Sequence, residues 1–181
     1  QWHYSRPVYE DGAYKSAKQV VQRLADVVSK NGNLLLSIPV RGDGTIDEKE
    51  AAIVDDIAVW TATNGEAIFG TRPWRVFGEG PTKPPSGDKV EDQANAFTAA
   101  DVRYTKKDSA LYAIFLDKPS GNARLKSLGA NALPDAVIER VGHPNFGPDG
   151  PPDRHRAHFA DGPGEVLLWP PFATSEDTGD L

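Results

Sequence analysis

"KSAKQVVQRLADVVSKNGNLLLSIPVRGDGTIDEKE", residues 15–50, sets two helix patterns on either side of one short apolar run. Val20, Val21, Leu24, Val27 and Val28 fall on one stripe at a period of about 3.6 residues, which predicts an amphipathic helix over 15–30. Lys30 and the pair Asn31-Gly32 then supply the basic last turn and left-handed stop of a helix C-terminus. The run "NLLLSIP" (33–39), bounded by Asn-Gly and by Pro39, has the pattern of a strand covered on both faces, as in parallel sheets. Leu34, Leu36 and Ile38 would share one face, with Asn33, Leu35, Ser37 and Pro39 on the other, more polar one. In a barrel that polar face would point inward. Helix, strand and helix in succession are the grammar of an α/β fold.

The acids that follow raise the question of calcium. With Gly44 at the central glycine of an EF-hand loop, Asp43, Thr45, Asp47 and Glu50 fall on ligand positions. Pro39 and Arg41 then stand where the first two carboxylates belong, and no helix pattern enters the loop. The stretch reads instead as a β-to-α turn, with Asp43 a turn residue between two glycines. Asp47 and Glu50 stand three apart, as in a capping box, at the start of a second helix. Ile53, Ile57 and Trp60 share that helix's inner face, and Asn64-Gly65 closes it.

From Arg72 the pattern becomes strand and turn: "PWRVFGEG" (73–80), "DVRYT" (101–105), "ALYAIFL" (110–116), "ARLKSLG" (123–129) and "AVIERVG" (136–142). Residues 101–116 predict a hairpin. Residues 80–96, rich in Pro, Gly and charge, predict a mobile loop. From 142 the tail is denser still in these residues and predicts irregular chain, with "EVLLWPPF" (165–172) as a last strand.

A chain of 181 residues with 39% hydrophobic and 25% charged side chains has enough material for a core. A net charge of −6 and the lack of a basic run argue against a nucleic-acid surface. Zero cysteine excludes disulfides, thiolate catalysis and Cys-ligated zinc. No apolar run approaches the roughly 18–20 residues of a membrane span. With Gln1 first and no methionine anywhere, the sequence is expected to be a processed or partial piece, any targeting signal lying upstream. His155 and His158 stand three apart, but in a proline-rich segment where no helix would present them to a metal. No metal or cofactor is expected.

Four stretches in one order resemble the α-L-fucosidases, a family of retaining exo-glycosidases. They are "QWHY" (1–4), residues 14–50, "NGEAIFGTRPWRVFGEGPT" (64–82) and "FTAADVRYTKKDSALYAIFL" (97–116). The first looks like the Trp-x-Tyr element that precedes the family's Tyr-Lys-Ser-Ala helix. The resemblance covers about residues 1–118, fades after Pro119 and is slight beyond 141. It implies the last βα units of a (β/α)8-like barrel over residues 1–70, joined to a C-terminal antiparallel β-sandwich over 71–181. Two departures stand out: Ser37 where the family reads Asn, and length. A full barrel needs about 200–250 residues, so this one is expected to be incomplete at its N-terminus.

The resemblance also implies a substrate, a terminal α-L-fucose on a glycan. Retaining hydrolysis needs two carboxyl groups about 5–5.5 Å apart, a nucleophile and an acid/base. The family's pair lies before the Trp-x-Tyr element, so neither has a matching position here. Asp43 sits at the correct strand end but reads as a turn residue. Glu66 reads as a tie at the joint, and Glu79 as too close to a mobile loop to be preorganised. Arg72 and Trp74 are expected to staple the second part onto the first. The resemblance places Trp2 at the sugar pocket, where an aromatic face suits a deoxy sugar, with His3 and Tyr4 as neighbours. The rival reading is a non-catalytic carbohydrate-binding or scaffolding module. Expected partners are a fucosylated glycan and an N-terminal barrel portion or further copies of the chain. The sequence shows no targeting signal and leaves the compartment open; the resemblance is compatible with a secreted, periplasmic or lysosomal-type one.

Overall fold

The computed structural model describes residues 3–83, 96–108, 110–119 and 125–128, together with the backbone of 136–138, 156–159 and 162–169. A short helix not expected from the sequence, α1 (Arg6–Asp11), begins with proline in its first turn and ends at Gly12, φ +64°. Helix α2 (Ala17–Ser29) starts on a capping box: Ser16 Oγ accepts from the Gln19 N–H at 3.2 Å, and Gln19 Oε1 accepts from the Ser16 N–H at 2.9 Å. Its predicted stop is realised. Asn31 is left-handed (φ +66°), and the Gly32 and Asn31 N–H groups return to the carbonyls of Val27 and Val28 at 2.9 and 3.0 Å.

Helix α3 (Glu48–Asn64) is capped by the Asp47 carboxylate, which accepts from the Glu50 N–H at 2.9 Å. Glu50 does not complete the box; one of its carboxyl oxygens is buried without a partner. Gly65 stays right-handed and leads into a 3-10 turn, Gly65–Ala67, so the left-handed turn comes later, at Gly70 (φ +73°).

The expected strand at 33–39 is not formed. A strand exists through hydrogen bonds to a neighbour, and no described segment pairs with this one. Its apolar side chains lie bare: Leu35 is 78% and Val40 51% exposed.

The described strands make one six-stranded sheet, ordered β1-β2-β3-β6-β5-β4. Strand β1 (Arg72–Glu79) pairs antiparallel with β2 (Val102–Lys107), and β2 with β3 (Ala110–Phe115) in the predicted hairpin, Val102 opposite Phe115. Strand β3 runs parallel to β6 (Gly162–Trp169), beyond which lie β5 (Arg156–Phe159) and β4 (Ala136–Ile138). The tail expected to be irregular from 142 therefore contains two strands, and β6 includes the "EVLLW" expected as the last one. The expected strand at 123–129 contains a 3-10 turn, Lys126–Leu128. Most of the loop expected to be mobile lies outside the described residues.

Alternation along β3 divides the core. Tyr112, Ile114 and, just beyond the strand, Leu116 pack with Val21, Ala25, Trp60, Ala67 and Ile68 on the helix side. Leu111, Ala113 and Phe115 pack with Val102, Tyr104 and Leu128 on the other. The helices are tied to the sheet by a polar row at every fourth residue of α2. Lys18 bonds Asp117 at 2.6 Å, Gln22 donates to the Leu116 carbonyl at 2.5 Å, and Asp26 accepts from Arg103 at 2.6 Å. Lys30 closes the row on Asp26 at 2.8 Å. This row, not Arg72 and Trp74, is the staple. Trp74 points to the far side, packing edge-on against Tyr104 at 5.3 Å, and the exposed Arg72 donates to its neighbour Thr71's carbonyl.

Candidate functional site

The acids of 43–50 first do local work. Asp43 Oδ1 accepts from the Thr45 N–H at 2.9 Å and its hydroxyl at 2.7 Å, which holds the carboxyl's pKa below the ordinary range. Gly44, at φ +85°, lets Arg41 and Thr45 close the turn at 2.8 Å. The turn reading of Asp43 stands. Asp47, fully buried, accepts from the Tyr14 hydroxyl at 2.6 Å. Burial pushes its pKa up, but the Tyr14 hydroxyl and the N–H groups of Glu50 and Lys49 outweigh burial and hold it ionised. Burial and then Asp47 in turn raise the Tyr14 phenol and the Glu50 carboxyl.

Beside this cap lies an aromatic and charged cluster at the surface. The Tyr9 hydroxyl donates to Glu48, which also receives Arg41 at 2.9 Å. The Tyr9 bond first, then a backbone N–H and Arg41, pull the Glu48 carboxyl down to about 2. The same carboxylate raises the Tyr9 phenol. The Arg41 guanidinium lies 5.5 Å from the Tyr9 ring centre and 6.0 Å from that of Tyr4, while Lys49 stands 4.7 Å from the Tyr9 ring. Tyr4 and Tyr9 lie 6.5 Å apart, tilted by 42°. The arrangement offers ring faces and a fixed cation to a polar, partly apolar ligand. The carboxylates at 43, 47 and 48 each accept hydrogen bonds from neighbouring side chains.

Of the residues singled out in the sequence, Tyr4 lies in this cluster and His3 is exposed at its chain neighbour; Trp2 lies outside the described residues. Glu66 accepts from the Tyr112 hydroxyl at 2.9 Å, linking the end of α3 to β3 as expected. Glu79 corrects an expectation. It is held firmly by the N–H groups of Lys126 and Ser127 at 2.8 and 2.7 Å and by the Ser127 hydroxyl at 2.5 Å. Sequence reasoning missed Tyr9, Tyr14 and Arg41 because the contacts that matter span 33–39 positions or a turn. Their only local signal is a run of tyrosines at five-residue spacing. No group of three His, Asp or Glu that could hold a metal occurs among the described residues.

Residues 1–66, which include the whole cluster, match the family model described as alpha-L-fucosidase. Over that part this chain is similar to the α-L-fucosidases. The rat (Rattus norvegicus) plasma alpha-L-fucosidase is 30% identical over 144 residues, which is 78% of this chain and 28% of the rat enzyme. Among solved structures, alpha-L-fucosidase isoenzyme 1 from Paenibacillus thiaminolyticus covers 96% of this chain and 34% of its own, at 26% identity and a TM-score of 0.54. A Thermotoga maritima alpha-L-fucosynthase, solved with a fucosyl ligand, covers 66% of this chain and 24% of its own, at 31% identity and a TM-score of 0.53. The chain thus spans about a quarter to a third of these fucosidases. The family consists of glycoside hydrolases.

Proposed function

We propose that this chain is part of an α-L-fucosidase that removes terminal α-linked L-fucose from glycans with retention of configuration. The observation that carries this reading is the family match over residues 1–66, which takes in the ring-and-guanidinium cluster of Tyr4, Tyr9 and Arg41. In this reading residues 1–70 are the closing part of a (β/α)8-like barrel and 71–181 a β-sandwich domain. Trp2, His3 and Tyr4 border the sugar pocket, the tryptophan face lying against the apolar side of the deoxy sugar. Arg41, kept protonated chiefly by Glu48, donates to sugar hydroxyls. The nucleophile and acid/base are supplied from outside these 181 residues.

The test pairs an aryl α-L-fucoside assay with tryptophan fluorescence during fucose titration, on the folded chain. Expected are no turnover and a saturable fluorescence change that Trp2→Ala removes. Turnover by the chain alone would show that a working carboxylate pair lies within it. No binding at any fucose concentration would remove the sugar pocket from this chain.

A further inference from the structure

Asn-Gly occurs at 31–32 and again at 64–65, and each pair ends a helix. An asparagine before glycine is prone to lose ammonia, because the glycine nitrogen reaches the preceding amide carbon with no side chain in its way. The two pairs stand in opposite surroundings. Asn31 is exposed and left-handed at φ +66°, and its side-chain amide makes no hydrogen bond among the described residues. The N–H groups of Lys30, Asn31 and Gly32 close the last turn of α2 on the carbonyls of Val27 and Val28 at 2.9–3.2 Å. Past Gly32 the next backbone hydrogen bond among the described residues is that of Arg41, so opening this turn disturbs little else. Asn64, by contrast, is 2% exposed, and its Nδ2 donates to the Trp60 carbonyl at 2.7 Å. The Gly65 N–H returns to the Thr61 carbonyl, and the Gly65 carbonyl accepts from Ile68 and Phe69 at 3.0 and 2.7 Å. Trp60 and Ile68 belong to the helix-side core, so freeing Asn64 means opening that core.

We propose that Asn31 is a modification site, the place where this chain loses ammonia while folded, and that the fold silences Asn64. The inference stands apart from the fucosidase reading. The Gly32 nitrogen gives its proton to water or hydroxide and attacks Cγ of Asn31. The Cγ–Nδ2 bond breaks, and the leaving nitrogen takes a proton from water and departs as ammonia. Water then opens the resulting succinimide ring at either carbonyl, giving aspartate or isoaspartate. The Asp43-Gly44 pair is a poorer starting point: its carboxyl is kept ionised and its Oδ1 holds Thr45, and a carboxylate resists attack. The product at 31 matters because of where α2 ends. A carboxylate there adds negative charge to the negative end of the helix dipole. It follows Lys30, whose ammonium bonds Asp26, the partner of Arg103. Isoaspartate also lengthens the backbone by one atom, which breaks the register of the Gly32 N–H with the Val27 carbonyl. Gly32 lies so close to Val27 that an added Cβ would stand 2.8 Å from its methyl, so the turn has no slack to absorb the extra atom. The tie from α2 to the sheet then loosens from its C-terminal end.

The purified chain is held in mildly alkaline buffer, folded and in guanidinium, and digested with trypsin at intervals; the two pairs fall on separate peptides. Mass spectrometry with electron-transfer fragmentation reads the gain of mass at each site and separates aspartate from isoaspartate. In guanidinium the two sites should react within about threefold of one another, since neither is held by the fold. In the folded chain Asn31 should react faster than Asn64 by about a hundredfold or more, because opening a helix end costs far less than opening the core. Aged chain should unfold at a lower denaturant midpoint than fresh chain. Asn31→Gly, which keeps a left-handed cap, should remove both the mass gain at 31 and that shift. Equal rates at the two sites in the folded chain, or an Asn31 as silent as Asn64 when folded, would overturn the proposal. A midpoint shift that persists in aged Asn31→Gly would overturn the consequence drawn for α2.

Discussion

Residues 17–29 and 33–40 follow one another in the chain and are both dense in apolar side chains, yet α2 is packed and the segment without regular structure is largely exposed. Composition does not separate them. What separates them is where their polar groups go. A helix satisfies its own backbone, so α2 needs only something to lie on, and β2 and β3 supply it. Its polar side chains at 22 and 26 are buried as well, because the sheet offers Leu116's carbonyl and Arg103 to meet them. An extended segment satisfies its backbone only through other strands. For 33–40 none is at hand among the described residues, and burial fails with pairing.

The contrast can be broken most forcefully at Arg103. This side chain is buried, bonds Asp26 and lies between the rings of Phe77 and Phe97 at 5.6 and 5.3 Å. Arg103→Ala should cost about 3–5 kcal/mol in urea unfolding, since it leaves Asp26 buried with only Lys30. The pair replaced together by Leu and Met should recover most of that loss.

Asp101 comes next. Its buried carboxylate accepts from the N–H and hydroxyl of both Thr82 and Thr98, at 2.7–3.0 Å, clasping the two ends of the 80–96 connection. Asp101→Asn should cost about 2–3 kcal/mol at neutral pH. Burial opposes ionisation of this carboxyl, but the four donors outweigh it and the pKa is lowered. Its contribution is therefore complete above about pH 4, the unfolded value, and disappears as pH falls through the lower folded value. The difference between wild type and Asp101→Asn should shrink over that acid range in a series of melts.

Ser16→Ala removes half the capping box of α2 and should cost about 1 kcal/mol by the same unfolding measurement. Leu35→Ala should change the stability of the isolated chain by less than about 0.5 kcal/mol, where Val21→Ala, in the core, costs about 2. A large effect at Leu35 would mean that the segment is already paired.

How much could be read from sequence follows the same division. The α2 stripe, its Asn-Gly stop, the Asp47 cap and the 101–116 hairpin are local patterns, and each is present. The α3 stop falls at Asn64-Gly65 as read, but Gly65 is right-handed and the left-handed glycine is Gly70. Helix α1 spans six residues, too few for a periodic signal. Glu79's three donors, the row from Lys18 to Lys30 and the contacts of Tyr9 and Tyr14 join residues far apart in sequence. Residue types at those positions look like ordinary surface, so only the assembled fold reveals them.

The parallel pairing of β3 with β6, Ala110 opposite Glu165, also sets the tempo of folding. The β2–β3 hairpin closes a loop of a few residues and can form within about 1–10 μs. Strand β6 must find β3 across the whole intervening chain, a non-local closure whose entropy is lost before any ladder bond compensates it. Until that docking, the inner edge of β3 is open, and crowding at that stage favours pairing between chains over pairing within one. Dilute refolding should therefore give a higher yield of native sheet than concentrated refolding, with the hairpin already formed in both.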